Sequence, residues 1–398
     1  MTEEQSCDPL PSSSAPCPID QLFTLQRFPV GYKFVTSVVY FPIGVVLLLL
    51  RIFIGFHAFV VATILPKTWT VRCHILRSLC AILGIIVSEA DGCEYRGLNV
   101  KVIVANHISP LDHIAINLLQ PCTIPNVWDI PYLLSWCLGY IDLGVKQGRE
   151  KLIENAKKFC SRSWLPLLAF PEGAMTNGLT GMLKFSPWPF SLDQPVQPLI
   201  LSISRPAFAQ ISPIILGSRW WLDIIWCLFA PYTHFKLRWL PVLSRAPDET
   251  PVIFANRCQR VMCKAAGLQA TRYTSQDAVE YAKRVVLEQR QQELEAKMRG
   301  LVAQVKNVVP QVPTDVIRQN LMQTGSVSET VSNILEGRVP YTPEPVPIPK
   351  KTHVNQNSPE AWKALYEERK AIMIALNREK YLRRKGLSNT EAGSSASS

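Results

Sequence analysis

Charge is scarce in this chain of 398 residues: Asp, Glu, Lys and Arg make up 18%, against about 25% in ordinary soluble domains. With 47% hydrophobic residues, that deficit excludes a wholly disordered chain and argues against a purely soluble one. Cys-x-x-Cys pairs and Cys/His clusters at zinc spacing are missing, so no metal site is expected. The eleven cysteines are odd in number, which excludes a complete intramolecular disulfide framework; they read as reduced thiols facing the cytosol. A basic start is missing too. The first residues are rich in Pro and Ser and carry Glu3, Glu4, Asp8 and Asp20, so a cleaved signal peptide is not expected. Acidic residues are outnumbered 31 to 42, and the net charge of +11 suits an anionic partner, at a density that favours a phospholipid surface over nucleic acid.

What is abundant is one apolar run, residues 34–65, whose single charge is Arg51. About 20 apolar residues cross the hydrocarbon once, so this run is long for one helix and short for two. Pro42, Gly44 and Gly55 offer turning points. Arg27 and Lys33 before the run, and Lys67, Arg72 and Arg77 after it, are the flanks expected when both ends stay cytosolic. The expectation is a membrane-embedded hairpin over 34–65 behind a polar segment 1–33, with a single long tilted helix as the competing reading. A hairpin without a lumenal domain also suits the monolayer of a lipid droplet.

Residues 73–92 read as an apolar helix. Short β-type runs follow at 100–105, 165–170, 196–204 and 235–243, separated by helical patterns, which predicts an α/β domain over 73–250. Directly after the run ending at Ala105 comes Asn106-His107-Ile108-Ser109-Pro110-Leu111-Asp112. Ser109 and Pro110 start a helix there, placing His107 in a strand-to-helix loop, where open α/β sheets bind ligands. Asp112 either orients His107 as a general base or completes a capping box with Ser109. A second motif, Phe170-Pro171-Glu172-Gly173, follows another strand. Residues 214–229, rich in Trp, read equally as an interfacial or a core helix.

Together the two motifs resemble the glycerolipid acyltransferase family, whose signature is His-x4-Asp followed by Phe-Pro-Glu-Gly. The resemblance implies acyl-CoA as co-substrate, a lysophospholipid or glycerol phosphate as acceptor, His107 and Asp112 as catalytic pair, and Glu172 and Gly173 in the acceptor site. Val196-Gln197-Pro198-Leu199 resembles the family's last block. Two departures bear on activity. Leu143-Gly144 stands after Ile141-Asp142 where the family has an arginine, leaving Lys146 and Arg149 as candidate phosphate contacts, and Ala174-Met175-Thr176 replaces Thr-Arg-Ser. The guanidinium donors that clamp an anionic substrate are thereby lost, and the sequence leaves turnover open.

Past a helical connector over 251–294, residues 295–338 are patterned as three short helices. This segment resembles the CUE family of ubiquitin-binding modules, with Val308, Val309 and Pro310 in place of Met-Phe-Pro and Ile334-Leu335 in place of the closing Leu-Leu. The resemblance implies that these residues contact ubiquitin; the alternative is a small bundle using them as core. A proline-rich linker, 339–357, leads to a basic amphipathic helix over 358–386 bearing Trp362, Leu365, Ile372, Leu376, Arg378 and Arg383, and then to a disordered tail, 387–398. A short isolated helix is marginal in water, so it orders on a protein partner or on anionic membrane.

The module order resembles a family of membrane-anchored adaptors of the endoplasmic reticulum and lipid droplets. That resemblance implies a tail that binds a ubiquitin-conjugating enzyme (E2) of endoplasmic-reticulum-associated degradation, contact with a ligase complex, and no required cofactor. The basic tail lacks a nucleic-acid recognition fold.

Overall fold

The computed structural model describes residues 17–65, 70–90, 95–97, 99–127, 132–344 and 359–384. Residues 1–286 and 287–398 form two compact units.

The first unit is built on a five-stranded sheet in the order β1 (Ile85–Glu89), β8 (Thr233–Trp239), β7 (Val196–Ser204), β2 (Val102–Ala105) and β5 (Leu167–Ala169). All neighbours are parallel except the antiparallel pair β7 and β8. Every residue of β2 is buried, the unbroken apolar reading expected of a parallel strand covered on both faces. The two-residue strands β3 (Ile124–Pro125) with β4 (Tyr140–Ile141), and β6 (Gly181–Met182) with β9 (Gln269–Ala270), pair outside it. One core holds Ile103, Leu168, Leu199 and Phe235 with Ala58, Cys80, Ala115 and Cys227 from helices α1 (Tyr32–Ile64), α2 (Thr70–Ile82), α3 (Asp112–Leu119) and α6 (Trp220–Phe229). The other holds Val102, Val104 and Ile200 with residues of α5 (Arg149–Arg162) and α7 (Pro251–Ala266). A short helix α4 (Tyr132–Leu138) precedes β4.

Three expectations need correction. The apolar run contains no turn: α1 is one helix with Pro42 inside it, and α2 packs on it. Gly44 and Gly55 are contact points instead. A Cβ on Gly44 would collide with the Phe229 ring, and one on Gly55 would touch Leu83. The helix expected over 73–92 stops at Ile82, because Gly84 takes a left-handed φ of 84° and the β-branched Ile85-Ile86-Val87 pairs with β8. The α/β unit also runs past residue 250. α7, capped by the Thr250 side chain on Ile253 N–H, buries Phe254, Cys258 and Met262 in the second core.

In the second unit the end of α8 (Ser275–Val308), α9 (Thr314–Thr324) and α10 (Val327–Leu335) enclose Val302, Val305, Val309, Val312, Ile317, Leu321 and Ile334. α8 passes unbroken through the boundary expected at 294/295. Gly325, with φ 64°, ends α9, and the Ser326 side chain caps α10 on Glu329 N–H. α11 (Pro359–Arg384) is the basic helix. Of the expected linker, 339–344 is irregular and 345–357 lies outside the described residues, as do Ser358 and 385–398.

Candidate functional site

Parallel β2 ends between β7 and β5, and the chain leaves it through Asn106. The Asn106 amide donates to Leu201 O at 3.0 Å and accepts from Leu201 N–H at 2.7 Å, extending the β2–β7 pairing by one side chain. His107 comes next, with its Nδ1 2.9 Å from Asp112 Oδ2. That contact assigns the Nδ1 proton to the aspartate side and leaves Nε2 as the free nitrogen. The His107 side chain is 24% exposed and that of Asp112 fully buried. Phe170 stacks on the imidazole, ring centroids 4.4 Å apart and planes 16° from parallel.

Asp112 also does local work. Its Oδ2 accepts from Ile108 N–H at 2.6 Å and Ser109 N–H at 2.9 Å, and its Oδ1 accepts from Ser109 Oγ at 2.7 Å. Ser109 Oγ in turn accepts from Leu111 N–H. The carboxylate that faces His107 therefore also holds the Ser109-Pro110-Leu111 turn, but α3 begins only at Asp112, with Leu111 at its N-cap and no side chain capping it, later than Ser109 and Pro110 lead one to expect.

Glu172 is 1% exposed. Its carboxyl accepts from His107 N–H at 3.0 Å and Leu183 N–H at 2.9 Å, so it pins the histidine loop to the strand-end loop of the second motif. Both carboxyl oxygens of Glu172, which the resemblance implies for the acceptor site, are thus taken by backbone donors, and it acts as a staple between the two loops. Thr176 N–H adds a second tie, to His107 O at 2.9 Å. Gly173 takes φ 66° and lies against Ser275 at the start of α8, where a Cβ would sit 3.1 Å from Ser275 Cβ. Lys146 lies on a short 3-10 turn. Arg149 donates to Ser186 Oγ at 3.1 Å, and Ser186 N–H donates to Pro171 O, which brings this cation beside the Phe-Pro-Glu-Gly loop. Next to the dyad, burial lowers His113 to about 4, so a neutral imidazole neighbours His107.

Burial pushes the Glu172 carboxyl up to about 8, against the two backbone donors that pull it down. Folded Glu172 then keeps its proton at pH values where the unfolded chain has released it. Its contribution to stability is full below about 4.5 and is lost as pH rises through about 8, by at most roughly 1.4 kcal/mol per pH unit. Glu172→Gln is expected to flatten that slope. It should also cost about 1–3 kcal/mol, because the amide nitrogen points a donor at one of the two N–H groups. Urea denaturation in detergent between about pH 5 and 9 reads both effects; an unchanged slope would exclude Glu172 as its source.

No family model matches the chain. It is 34% identical over 379 residues to the lipid droplet-regulating VLDL assembly factor AUP1 homolog of Caenorhabditis elegans, covering 92% of this chain and 95% of that protein. The Xenopus laevis lipid droplet-regulating VLDL assembly factor AUP1 is 36% identical over 388 residues, 92% and 96% of the two chains. The chain belongs to the AUP1 family. This AUP1-family chain is also 28% identical over 224 aligned residues to the human lysophospholipid acyltransferase LPCAT4, covering 50% of this chain and 41% of that protein. The α/β unit is acyltransferase-like in that sense. The crystal structure of the Thermotoga maritima 1-acyl-sn-glycerophosphate acyltransferase PlsC aligns at a TM-score of 0.35 and 15% identity, over 59% of this chain and 96% of that one.

The AUP1-family chain separates its other candidate residues by burial. Val309 and Ile334, expected to contact ubiquitin, are core residues, 6% and 4% exposed. Val308 is exposed, while Pro310 and Leu335 are half-buried. Exposed Met322 on α9, at 67%, was not singled out by the sequence pattern. On α11, Trp362, Leu365, Ile372 and Leu376 are all exposed and Arg378 is half-buried; Arg383 lies in the last turn.

Proposed function

We propose that this chain is a membrane-seated adaptor at the endoplasmic reticulum and lipid droplets, influencing droplet formation or clustering while recruiting an E2 for degradation of misfolded proteins. The observation that carries the recruitment reading is α11. Every side chain described on it except Arg378 is exposed, including Trp362, Leu365, Tyr366, Ile372 and Met373. A helix with that much bare apolar surface is marginal alone and gains its order from a partner. Residues 350–387 also hold ten Lys and Arg against four Glu, which suits an acidic partner surface. The CUE-like bundle offers Val308, Pro310 and Leu335 to ubiquitin or a ligase complex, and no cofactor is needed.

Family membership supports the droplet side, and so does the geometry of α1, which is long and apolar enough to cross a membrane. Its buried residues, Ser37, Tyr40, Gly44, Arg51, Ala58 and Ala62, form one seam about 38 Å long. Along that seam α1 packs on α2 and α6, so a span of about 30 Å of hydrocarbon would drag folded protein into the bilayer. α1 instead lies in one leaflet, which keeps both termini cytosolic and fits a droplet monolayer.

The test is capture of purified endoplasmic-reticulum E2 enzymes by the full chain and by a chain ending at residue 349. One E2 retained only by the full chain is the expected result; equal retention would end the recruitment reading.

The second reading is an acyl-CoA-dependent acyltransferase, and the His107–Asp112 geometry favours it. His107 Nε2 would take the proton of an acceptor hydroxyl as its oxygen attacks the thioester carbonyl. The carbon–sulfur bond then breaks, and the imidazolium returns the proton to the departing CoA thiolate.

A further inference from the structure

We infer that the acyltransferase-like unit carries its own contact with the phospholipid headgroup zone, centred on Trp220 and Trp221 in the first turn of α6 and continuous with α1. This rests on the seating of α1 in a leaflet. α6 divides its sides sharply. Asp223, Cys227 and Phe229 are buried, whereas Trp220 and Trp221 are 50% and 41% exposed, far more than an indole needs if its role is core packing.

The position of α6 makes those indoles part of the membrane face. Its start is tied to the residues just before α1: the Arg27 guanidinium binds Asp223 and donates to Ser218 Oγ at 3.2 Å. The Phe28 ring meets Trp226 edge-on, centroids 5.2 Å apart. Its end is tied to α1 itself, where Tyr40 Oη donates to the Phe229 carbonyl at 2.8 Å. Anchored at both ends, α6 follows the N-terminal half of α1. Trp220 and Trp221 therefore lie where the apolar helix begins.

The surroundings suit headgroups. Tyr32 is 77% exposed at the first position of α1, and Phe208, half-exposed, packs against Tyr40 with centroids 6.0 Å apart. Exposed Arg219 and half-buried Lys33, whose ammonium donates to Gln210 Oε1 at 2.9 Å, add positive charge, while Asp223, the acid of this helix, is neutralised by Arg27. Trp and Tyr at the edge of an apolar band, with Lys and Arg beside them, are the composition that settles at the membrane–water boundary. A protein partner would have to share this surface with the lipid already covering α1.

The test uses the full chain, wild type and Trp220→Phe/Trp221→Phe, with vesicles of phosphatidylcholine brominated near the headgroup. Both proteins should bind, since α1 is untouched, and the double variant should lose the part of the lipid-dependent fluorescence quenching that these indoles supply. A Trp220→Ser/Trp221→Ser chain should partition onto vesicles roughly tenfold or more weakly. Binding with equal quenching in wild type and the Phe variant would overturn the headgroup contact alone. So would undiminished acrylamide quenching of the two indoles on vesicles, which would leave the face open to a protein. Failure of the wild type to bind vesicles would overturn the seating of α1 as well.

Discussion

Asp112→Ala is expected to destabilise the chain by about 3–6 kcal/mol, whereas His107→Ala should melt close to wild type. The difference follows from what each side chain holds. Removing the carboxylate strips acceptors from Ile108 N–H, Ser109 N–H and Ser109 Oγ in a buried site, and each stranded buried group costs about 1–3 kcal/mol. Against a typical total of about 5–15 kcal/mol, such a loss decides whether the protein accumulates. His107, partly exposed, leaves only Asp112 Oδ2 with one donor fewer. Asp112→Asn falls between: its oxygen can take the place of Oδ2 and its amide can donate to Ser109 Oγ, which spares the fold but removes the charge that would stabilise an imidazolium. Thermal melts in detergent rank the three variants, and an Asp112→Ala chain as stable as wild type would show that the hydrogen bonds carry no weight. Acyl-CoA-dependent transfer is measured on the same proteins. If the site turns over, His107→Ala and Asp112→Asn should each lose about 10²–10⁴-fold. Wild-type rates no higher than those of His107→Ala would remove the enzyme reading and leave Asp112 as a structural tie of the 107–112 loop that also faces a histidine.

The dyad was legible because all its parts lie within one loop of the chain, where strand end, Ser109, Pro110 and Asp112 constrain one another locally. What surrounds it was not. Phe170 stacks on His107 and Glu172 holds its N–H only because β2 and β5 are neighbours in the sheet, and no local pattern encodes that register. The same limit explains the strand at 85–89: its Ile-Ile-Val continues the apolar sequence of α2, and Gly84 was the one local signal that the helix had ended. In the α8–α10 bundle the sequence singles out Val309 and Ile334, but only packing separates core residues from surface neighbours. Gly44 misled in the opposite direction. A glycine after Pro42 reads as a break until the Phe229 ring that needs the space is in view.

Arg51→Leu should both weaken the fold and change how α1 meets the membrane. The guanidinium donates to Ile82 O at 3.1 Å, Leu228 O at 2.7 Å, Ala230 O at 2.5 Å and Pro231 O at 2.6 Å, carbonyls at the C-terminal ends of α2 and α6. Helix ends leave such groups without intrahelical partners, and a cation there also meets the negative end of each dipole. Leucine fills the volume but leaves the carbonyls bare, at about 3–5 kcal/mol. Lysine, with a single ammonium in place of a planar fork, should recover only part of this. Gly84→Ala should act in the same direction, because its Cβ would come within 2.7 Å of the guanidinium in addition to straining a φ of 84°. Loss of the clamp frees α1 from the folded unit and removes the only charge in the run, which costs about 2.5–3.5 kcal/mol at the centre of an inserted helix. Both changes favour a bilayer span. A glycan acceptor placed at the N-terminus should therefore stay unmodified in wild-type chains in microsomes and become glycosylated in a fraction of Arg51→Leu chains, with a matching fall in droplet recovery. An Arg51→Leu chain whose N-terminus remains cytosolic and whose melting point is unchanged would show that α1 is held in its leaflet by the apolar seam alone.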